Sequence, residues 1–514
     1  MDSARVGSYV AEMPEEMLSN IFENLASCDL ASVARVCSQW SEIALDRLWY
    51  SMDSLLPILH LLEPTTISNG KIDIPQGLEH VNWDRFGLYA RRIRCLSWAD
   101  DGVIKNHLCV QLLLHQPVLL PNLLELTWEA RRQEAVMQMF LVASSSLRTL
   151  RLNLECYDIG KLRPVIKGFN IRSIHLSNFE FRNSGPVDVK EGVAELIRSQ
   201  PTLRCVSLPF FYGTSEIVTA LGSLEKLEVV GVTEWNTSDG HDTEWCFLPG
   251  QFPMLSELGF SANSLRDATG IFVAHSLPQL RSVTVGTFNT PPDHPSLKVF
   301  LSALVSSCPH LSKVCLVIYL DEESPYEAPE DSLEPVTFST LEPLFQYKGL
   351  TSLEIYHNYP IVLGVEEISK IAQSWPGLRH LHLAPDPIRD LVEDNLIGTP
   401  LSLLVTFATH GFLNLHHLGL FFNVECTTTL NMPRLSTFPG LRTLAVGRSQ
   451  VPSVDRVATA SFLSLLVDPG LSIEAGYSRH AKYHVECDDE DQLRAWKDVE
   501  RLVHENHTMA RSRV

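Results

Sequence analysis

Three histidines, His380, His382 and His417, have the spacing in this chain best suited to chemistry. Two are separated by one position, as residues on one face of a strand are, and the third lies in a later copy of the same phrase. Imidazoles converging from neighbouring strands can hold a metal ion, anchor a peptide, or stand hydrogen-bonded on a solvated sheet, and spacing alone leaves these readings open. Glu354, Tyr356 and Phe421 occupy the same row of outward positions, adding a carboxylate and two rings able to grip a protein partner. The eleven cysteines (28, 37, 95, 109, 156, 205, 246, 308, 315, 426, 487) stand singly with no C-x-x-C pair, so they read as reduced, mostly buried small hydrophobes. No serine elbow, phosphate-binding glycine loop, paired carboxylates or Cys/His arrangement occurs at a meaningful spacing. The expectation is a chain without catalysis of its own and without a cofactor.

The elements that must position those histidines are announced by a phrase, Leu-x-x-Leu-x-Leu, with Val, Ile, Phe or Trp substituting. It runs Ile93-Leu96-Trp98, Leu123-Leu126-Trp128, Leu147-Leu150-Leu152, Ile171-Ile174-Leu176, Leu203-Val206-Leu208, Leu224-Leu227-Val229 and Leu255-Leu258-Phe260. It continues through Leu280-Val283-Val285, Leu311-Val314-Leu316, Leu350-Leu353-Ile355, Leu378-Leu381-Leu383, Leu415-Leu418-Leu420 and Leu441-Leu444-Val446, thirteen copies spaced 21 to 39 residues apart. In seven copies a proline sits two residues before the first anchor, ending a helix and setting an extended entry. The phrases resemble leucine-rich repeats, which implies an α/β solenoid: each copy a strand returning through a helix or loop, stacked into a horseshoe with a parallel sheet. The asparagine of the usual repeat survives only at Asn263, Asn358 and Asn423, so the repeats are degenerate.

Ahead of the repeats, residues 13–50 carry a denser, helical pattern. Met17, Leu18, Ile21, Phe22 and Leu25 lie on one stripe behind Pro14, which suits a first helical turn. Asp29 can cap a second helix with Leu30, Val33 and Ala34, and a third begins near Ser38 with Trp40, Ile43, Ala44 and Leu48 on one face. So short a segment seldom closes a core by itself, and its surplus apolar surface calls for a cover.

The string MPEEMLSNIFENLASCDLASVARVCSQWSEIALDRLW resembles the F-box, with Pro14, Met17, Leu18, Ile21, Leu25, Leu30, Val33, Val36, Cys37, Trp40, Leu48 and Trp49 at matching positions and Met13 in place of the usual leucine. The resemblance implies a three-helix module docking a Skp-type adaptor, and through it a cullin, by way of Pro14, Met17, Leu18, Ile21, Leu25, Leu30, Val33, Val36 and Trp40. It further implies a substrate receptor of a ubiquitin ligase, from a family with large fungal branches. A repeat scaffold with no ligase role, its helices merely capping the solenoid, is the alternative.

With 41 Lys and Arg against 61 Asp and Glu, the net charge of −20 disfavours nucleic acid and anionic membranes as partners. No leader-like apolar stretch opens the sequence, and the expected location is cytoplasmic or nuclear. The expected parse is a tail (1–12), an F-box (13–50), a helical linker (51–90), the solenoid (91–487) and a C-terminal helix with a fraying tail (488–514). Polar insertions are expected at 234–247 and 386–400, and a mobile acidic one at 321–335, with seven acidic residues and no basic one.

Overall fold

The computed structural model describes residues 13–512 except 63–64, 69–70, 75–76, 100–103, 131–137, 155–161, 184–189, 210–212, 234–244, 249, 288–293, 319–335, 358, 388–397, 425–436, 439 and 477–489. The expected tail 1–12 and the acidic insertion 321–335 lie outside the described residues, as do most of the two polar insertions. The chain divides into two compact units, Met1–Ser207 and Leu208–Val514.

The first unit opens with α1 (Glu15–Phe22), α2 (Ser27–Val33) and α3 (Ser38–Leu48). Glu15 and Glu16 sit in the first turn of α1, where their charge suits the helix dipole. Ala26, not Asp29, is the N-cap of α2, and Asp29 lies inside its first turn. The Cys37 sulfur caps α3 by accepting the Trp40 N–H at 3.5 Å.

The segment expected as a helical linker is partly sheet. Its first residues form β1 (Ser51–Met52), followed by α4 (Leu56–Leu59), an antiparallel hairpin of β2 (Thr66–Ser68) and β3 (Lys71–Asp73), and α5 (Trp83–Ala90). β1 pairs in parallel with β4 (Cys95–Ala99), which begins a run of β5 (Glu125–Ala130), β6 (Thr149–Leu154), β7 (Asn178–Asn183) and β8 (Cys205–Leu208), each parallel to the one before. The returns include α6 (Asn106–His115), α7 (Leu162–Ile171) and α8 (Lys190–Arg198). Leu96, Leu126, Leu150, Phe179 and Val206 stand in one register line, all buried.

That line corrects one phrase. Ile171 ends α7 and is exposed, and the anchors of this repeat are Leu176, Phe179 and Phe181. The leucine spacing holds with phenylalanine substituted, five residues later than expected.

The second unit contains α9 (Ser215–Gly222) and then a parallel run of β9 (Val229–Val232), β10 (Glu257–Ala262), β11 (Ser282–Thr287), β12 (Lys313–Ile318), β13 (Ser352–His357) and β14 (His380–Leu383). The short β15 (Thr399–Pro400) leaves this sheet to pair with β17 (Phe422–Asn423), while β16 (His417–Leu420), β18 (Thr443–Gly447) and β19 (Ser472–Ala475) continue it. Helices α10 (Leu265–Ala274), α11 (His294–Ser307), α12 (Val365–Ser374), α13 (Leu404–Thr409) and α14 (Arg456–Leu466) fill the returns.

Val230, Leu258, Val283, Val314, Leu353, Leu381, Leu418 and Leu444 form the buried register line. The anchors of β9 are therefore Leu227, Val230 and Val232, three residues beyond the expected Leu224-Leu227-Val229. A run with an apolar residue at every third place fits two registers, and the pairing with β10 selects one.

Each copy has the same physical logic. One strand face packs its branched side chains against the returns, and no single copy can bury its own leucines, so stacking is the only stable arrangement. The architecture is an α/β solenoid headed by three helices. The last element, α15 (Glu490–Ser512), packs Ala495, Trp496, Val499 and Val503 inward, and Trp496 Nε1 donates to the Ser449 carbonyl at 2.7 Å. It stays helical to Ser512 where fraying was expected. Among the described residues no helix is long and apolar enough to cross a membrane.

The cysteine expectation needs correcting. Among the described residues Cys109 and Cys308 are buried; Cys28, Cys37 and Cys246 are exposed, and Cys95, Cys205 and Cys315 are half-buried at outward strand positions.

Candidate functional site

Two surfaces stand out, the N-terminal helices and the open face of the sheet. In the helices, Leu18, Phe22, Leu30, Ile43 and Ala44 form a closed small core, and Met13, Leu25, Val33, Ala34, Trp40 and Leu48 pack half-buried around it. The Phe22 and Trp40 rings meet edge-on at 5.6 Å. Nearly full burial of those five side chains leaves other apolar residues in surplus: Met17 is 55% exposed, Ile21 48% and Val36 62%. Met17 and Ile21 are four apart on α1, so they share a face.

The nine residues expected to meet an adaptor thus separate by role. Pro14, Met17, Ile21 and Val36 are available to a partner, and Leu25, Val33 and Trp40 are half-available. Leu18 and Leu30 are corrected: at 1% and 5% exposure they hold the module together and cannot touch a partner.

The module is fixed to the first strands. The Tyr50 carbonyl accepts both the Arg94 and the Cys95 N–H, each at 2.9 Å, immediately before β1 joins β4. The Trp49 and Tyr89 rings lie 4.9 Å apart. Arg92 reaches back to α3, pairing with the Glu42 carboxylate at 2.5 Å and with Asp46. Burial works against the Arg92 charge, but the two carboxylates more than offset it and hold the guanidinium above its ordinary value.

On the open face of the first unit the outward charges pair with one another. Arg151 lies between Glu125 (3.2 Å) and Glu180 (3.4 Å), Arg182 pairs with Glu180 at 2.9 Å, and Asn178 donates to Thr149 Oγ1 at 3.1 Å. The charges on this face form a neutralised ladder.

The second unit holds the expected histidine row. His380, His417 and Ser352 share one register line, and Glu354, His382 and Gly419 share the next. His382 Nδ1 and His417 Nε2 are hydrogen-bonded at 3.2 Å, with the rings 19° from parallel, and the His380 ring lies 5.8 Å from that of His417. His382 reaches this position by lying across Gly419, where a Cβ would stand 2.5 Å from Nδ1. Tyr356 packs on His382 with centroids 4.5 Å apart, and its hydroxyl donates to the Glu354 carboxylate at 3.2 Å, while Ser352 Oγ donates to the other oxygen at 3.1 Å.

Burial holds both His380 and His417 below the ordinary histidine value, and it pushes the Tyr356 hydroxyl up. His380 and His417 are therefore held toward the neutral imidazole beside a carboxylate fixed by two hydroxyls. Among the described residues no group of three His, Cys, Asp or Glu side chains is arranged to hold a metal ion.

Five of the six expected residues come together here. Phe421 does not make ring contact with them: the strand ends at Leu420, the Phe421 carbonyl accepts the Thr399 N–H at 2.9 Å, and the ring lies against Gly398 beside β15. Unforeseen was a depression of about 350 Å³ next to the cluster, lined by Gly231, Gly259, Thr284, Cys315, Lys313 and Glu354 among others. It exists because outward positions on β9 and β10 are glycine, a signal of missing side chains that a search for reactive ones passes over. Burial, then the Glu354 carboxylate, raises the Cys315 thiol well above its usual value, which makes it a poor nucleophile.

Comparison with known proteins bears on the N-terminal helices. Residues 10–54 match a family model described as F-box-like. No curated protein matches the chain. Among solved structures, one titled "Crystal structure of TLR13-ssRNA13 complex" aligns over 70% of this chain and 47% of its own, at 14% identity and a TM-score of 0.34. The chain thus spans about half of that structure's length. The three helices, with their closed core and exposed Met17, Ile21 and Val36, are an F-box-like domain, which this chain carries ahead of an α/β solenoid.

Proposed function

We propose that this chain is the substrate receptor of a cullin-RING ubiquitin ligase. The F-box-like helices dock a Skp-type adaptor, and the solenoid, read as degenerate leucine-rich repeats, holds a protein substrate on its open face. In this reading the chain performs no chemistry itself; it supplies proximity, and other subunits transfer ubiquitin. The observation that carries it is the surplus of exposed apolar side chains, Met17, Ile21 and Val36, on a module whose own core is already closed.

The test is co-purification of the full chain with a Skp-type adaptor, beside a Met17→Glu/Ile21→Glu double variant. Both substitutions sit on the exposed face of α1, so helix content and melting temperature should stay unchanged while adaptor capture is lost. Leu18→Glu is unsuitable, since a charge in the buried core would unfold the module. A wild-type chain that captures none of several adaptors would leave the scaffold reading, in which the helices cap the first strands. The ties through Arg92 and Tyr50 favour that second reading.

A further inference from the structure

The open faces of the two units differ in a way that selects one of them for recognition. In the first, Glu125, Arg151, Glu180 and Arg182 neutralise each other, and a partner would have to break those pairs to use them. In the second, Glu257, Lys313 and Glu354 make no ion pair among the described residues, and they border a depression floored by Gly231, Gly259 and Thr284. Five strands, β9 to β13, cross under it. At strand spacings of about 4.8 Å this is roughly 19 Å, the reach of about six extended residues.

Of the three unpaired charges Glu354 is the preorganised one. Ser352 Oγ and the Tyr356 hydroxyl hold one oxygen each, the carboxylate is half-buried, and among the described residues it makes no ion pair. Lys313 is exposed at the end of a flexible stem and can swing clear. A carboxylate already fixed in the lining of a groove costs a bound cation little ordering.

We propose that this groove seats an extended substrate segment that places a lysine or arginine on Glu354 and small side chains over Gly231, Gly259 and Thr284. The proposal deepens the receptor reading and rests on it for the word substrate; the groove itself is argued from its own geometry.

The experiment is selection of random displayed decapeptides on the immobilised full chain, with adaptor capture measured on the same preparation. Enriched peptides should share one basic residue next to a run of glycine, alanine or serine. A synthetic peptide of that sequence should bind Glu354→Gln at least tenfold more weakly, and the loss should vanish when its basic residue is norleucine. Thr284→Trp, an outward substitution that fills the floor, should abolish binding with the melting temperature unchanged. No enrichment, an enriched motif without a basic residue, or equal binding to both variants would overturn the proposal. Failure of adaptor capture with peptide enrichment intact would sink the receptor reading and leave the groove standing.

Discussion

At the scale of single residues, the module shows how position on a helix divides one apolar stripe into two jobs. Leu18→Ala should cost about 2–5 kcal/mol in chemical denaturation of the N-terminal helices, because it leaves a cavity in a five-residue core. Ile21→Glu, three positions on, should stay within about 0.5 kcal/mol of wild type. The sequence pattern marked both as apolar and could not separate them, since a stripe broader than the core it feeds reads the same on paper. His357 gives a second test. It is buried, with Nδ1 within 3.0 Å of the Tyr359 N–H, and burial lowers its pKa from 6.5 to about 4. The unfolded state therefore binds the proton more readily, so this histidine's contribution is complete above about pH 6.5 and is lost progressively as pH falls toward 4. Acid should remove on the order of 3 kcal/mol through this group. Unfolding of a His357→Gln variant, followed between pH 7 and 4, should show a shallower slope than wild type.

At the scale of elements, the leucine phrase located most of the repeat strands in their observed register. It slipped at β7, where Phe179 and Phe181 take the anchor positions, and at β9, where Leu224, Leu227 and Val230 offer two registers three residues apart. Two end strands escaped notice for another reason: β1 is two residues long, and β19 has lost the pattern. The histidine cluster was legible because alternation along a strand is geometric; the departure of Phe421 was not, because it follows from β17 pairing with β15. Two element-level outcomes are expected. Gly447 closes β18 at φ 52, and a Cβ there would lie 2.0 Å from the Pro385 carbonyl, so Gly447→Ala should destabilise the second unit by at least about 1–3 kcal/mol, measured by thermal unfolding. Arg92→Ala should loosen α3, raising hydrogen exchange of its amides by on the order of tenfold, because charge-assisted bonds to Glu42 and Asp46 are lost.

At the scale of the whole molecule, boundaries drawn from pattern and boundaries drawn from contacts disagree, and the disagreement is informative. The pattern placed the repeat region from residue 91, but β4 already pairs with β1, and Phe86 of α5 is fully buried. A chain beginning at residue 91 would bare the edge of β4, and is expected to aggregate at concentrations where one beginning at residue 13 remains monomeric by light scattering.

The carbonyl of Tyr50, holding the two amides at the entry of the first full strand, has a mechanical meaning. Helices joined to a sheet by a slack cord could swing through a wide arc. Here the helices hand over to the sheet within two residues, so any rotation imposed on them must be absorbed by flexing the strands themselves. The first strands then behave less like a hinged arm than like the root of a leaf spring, stiffest where the torque enters.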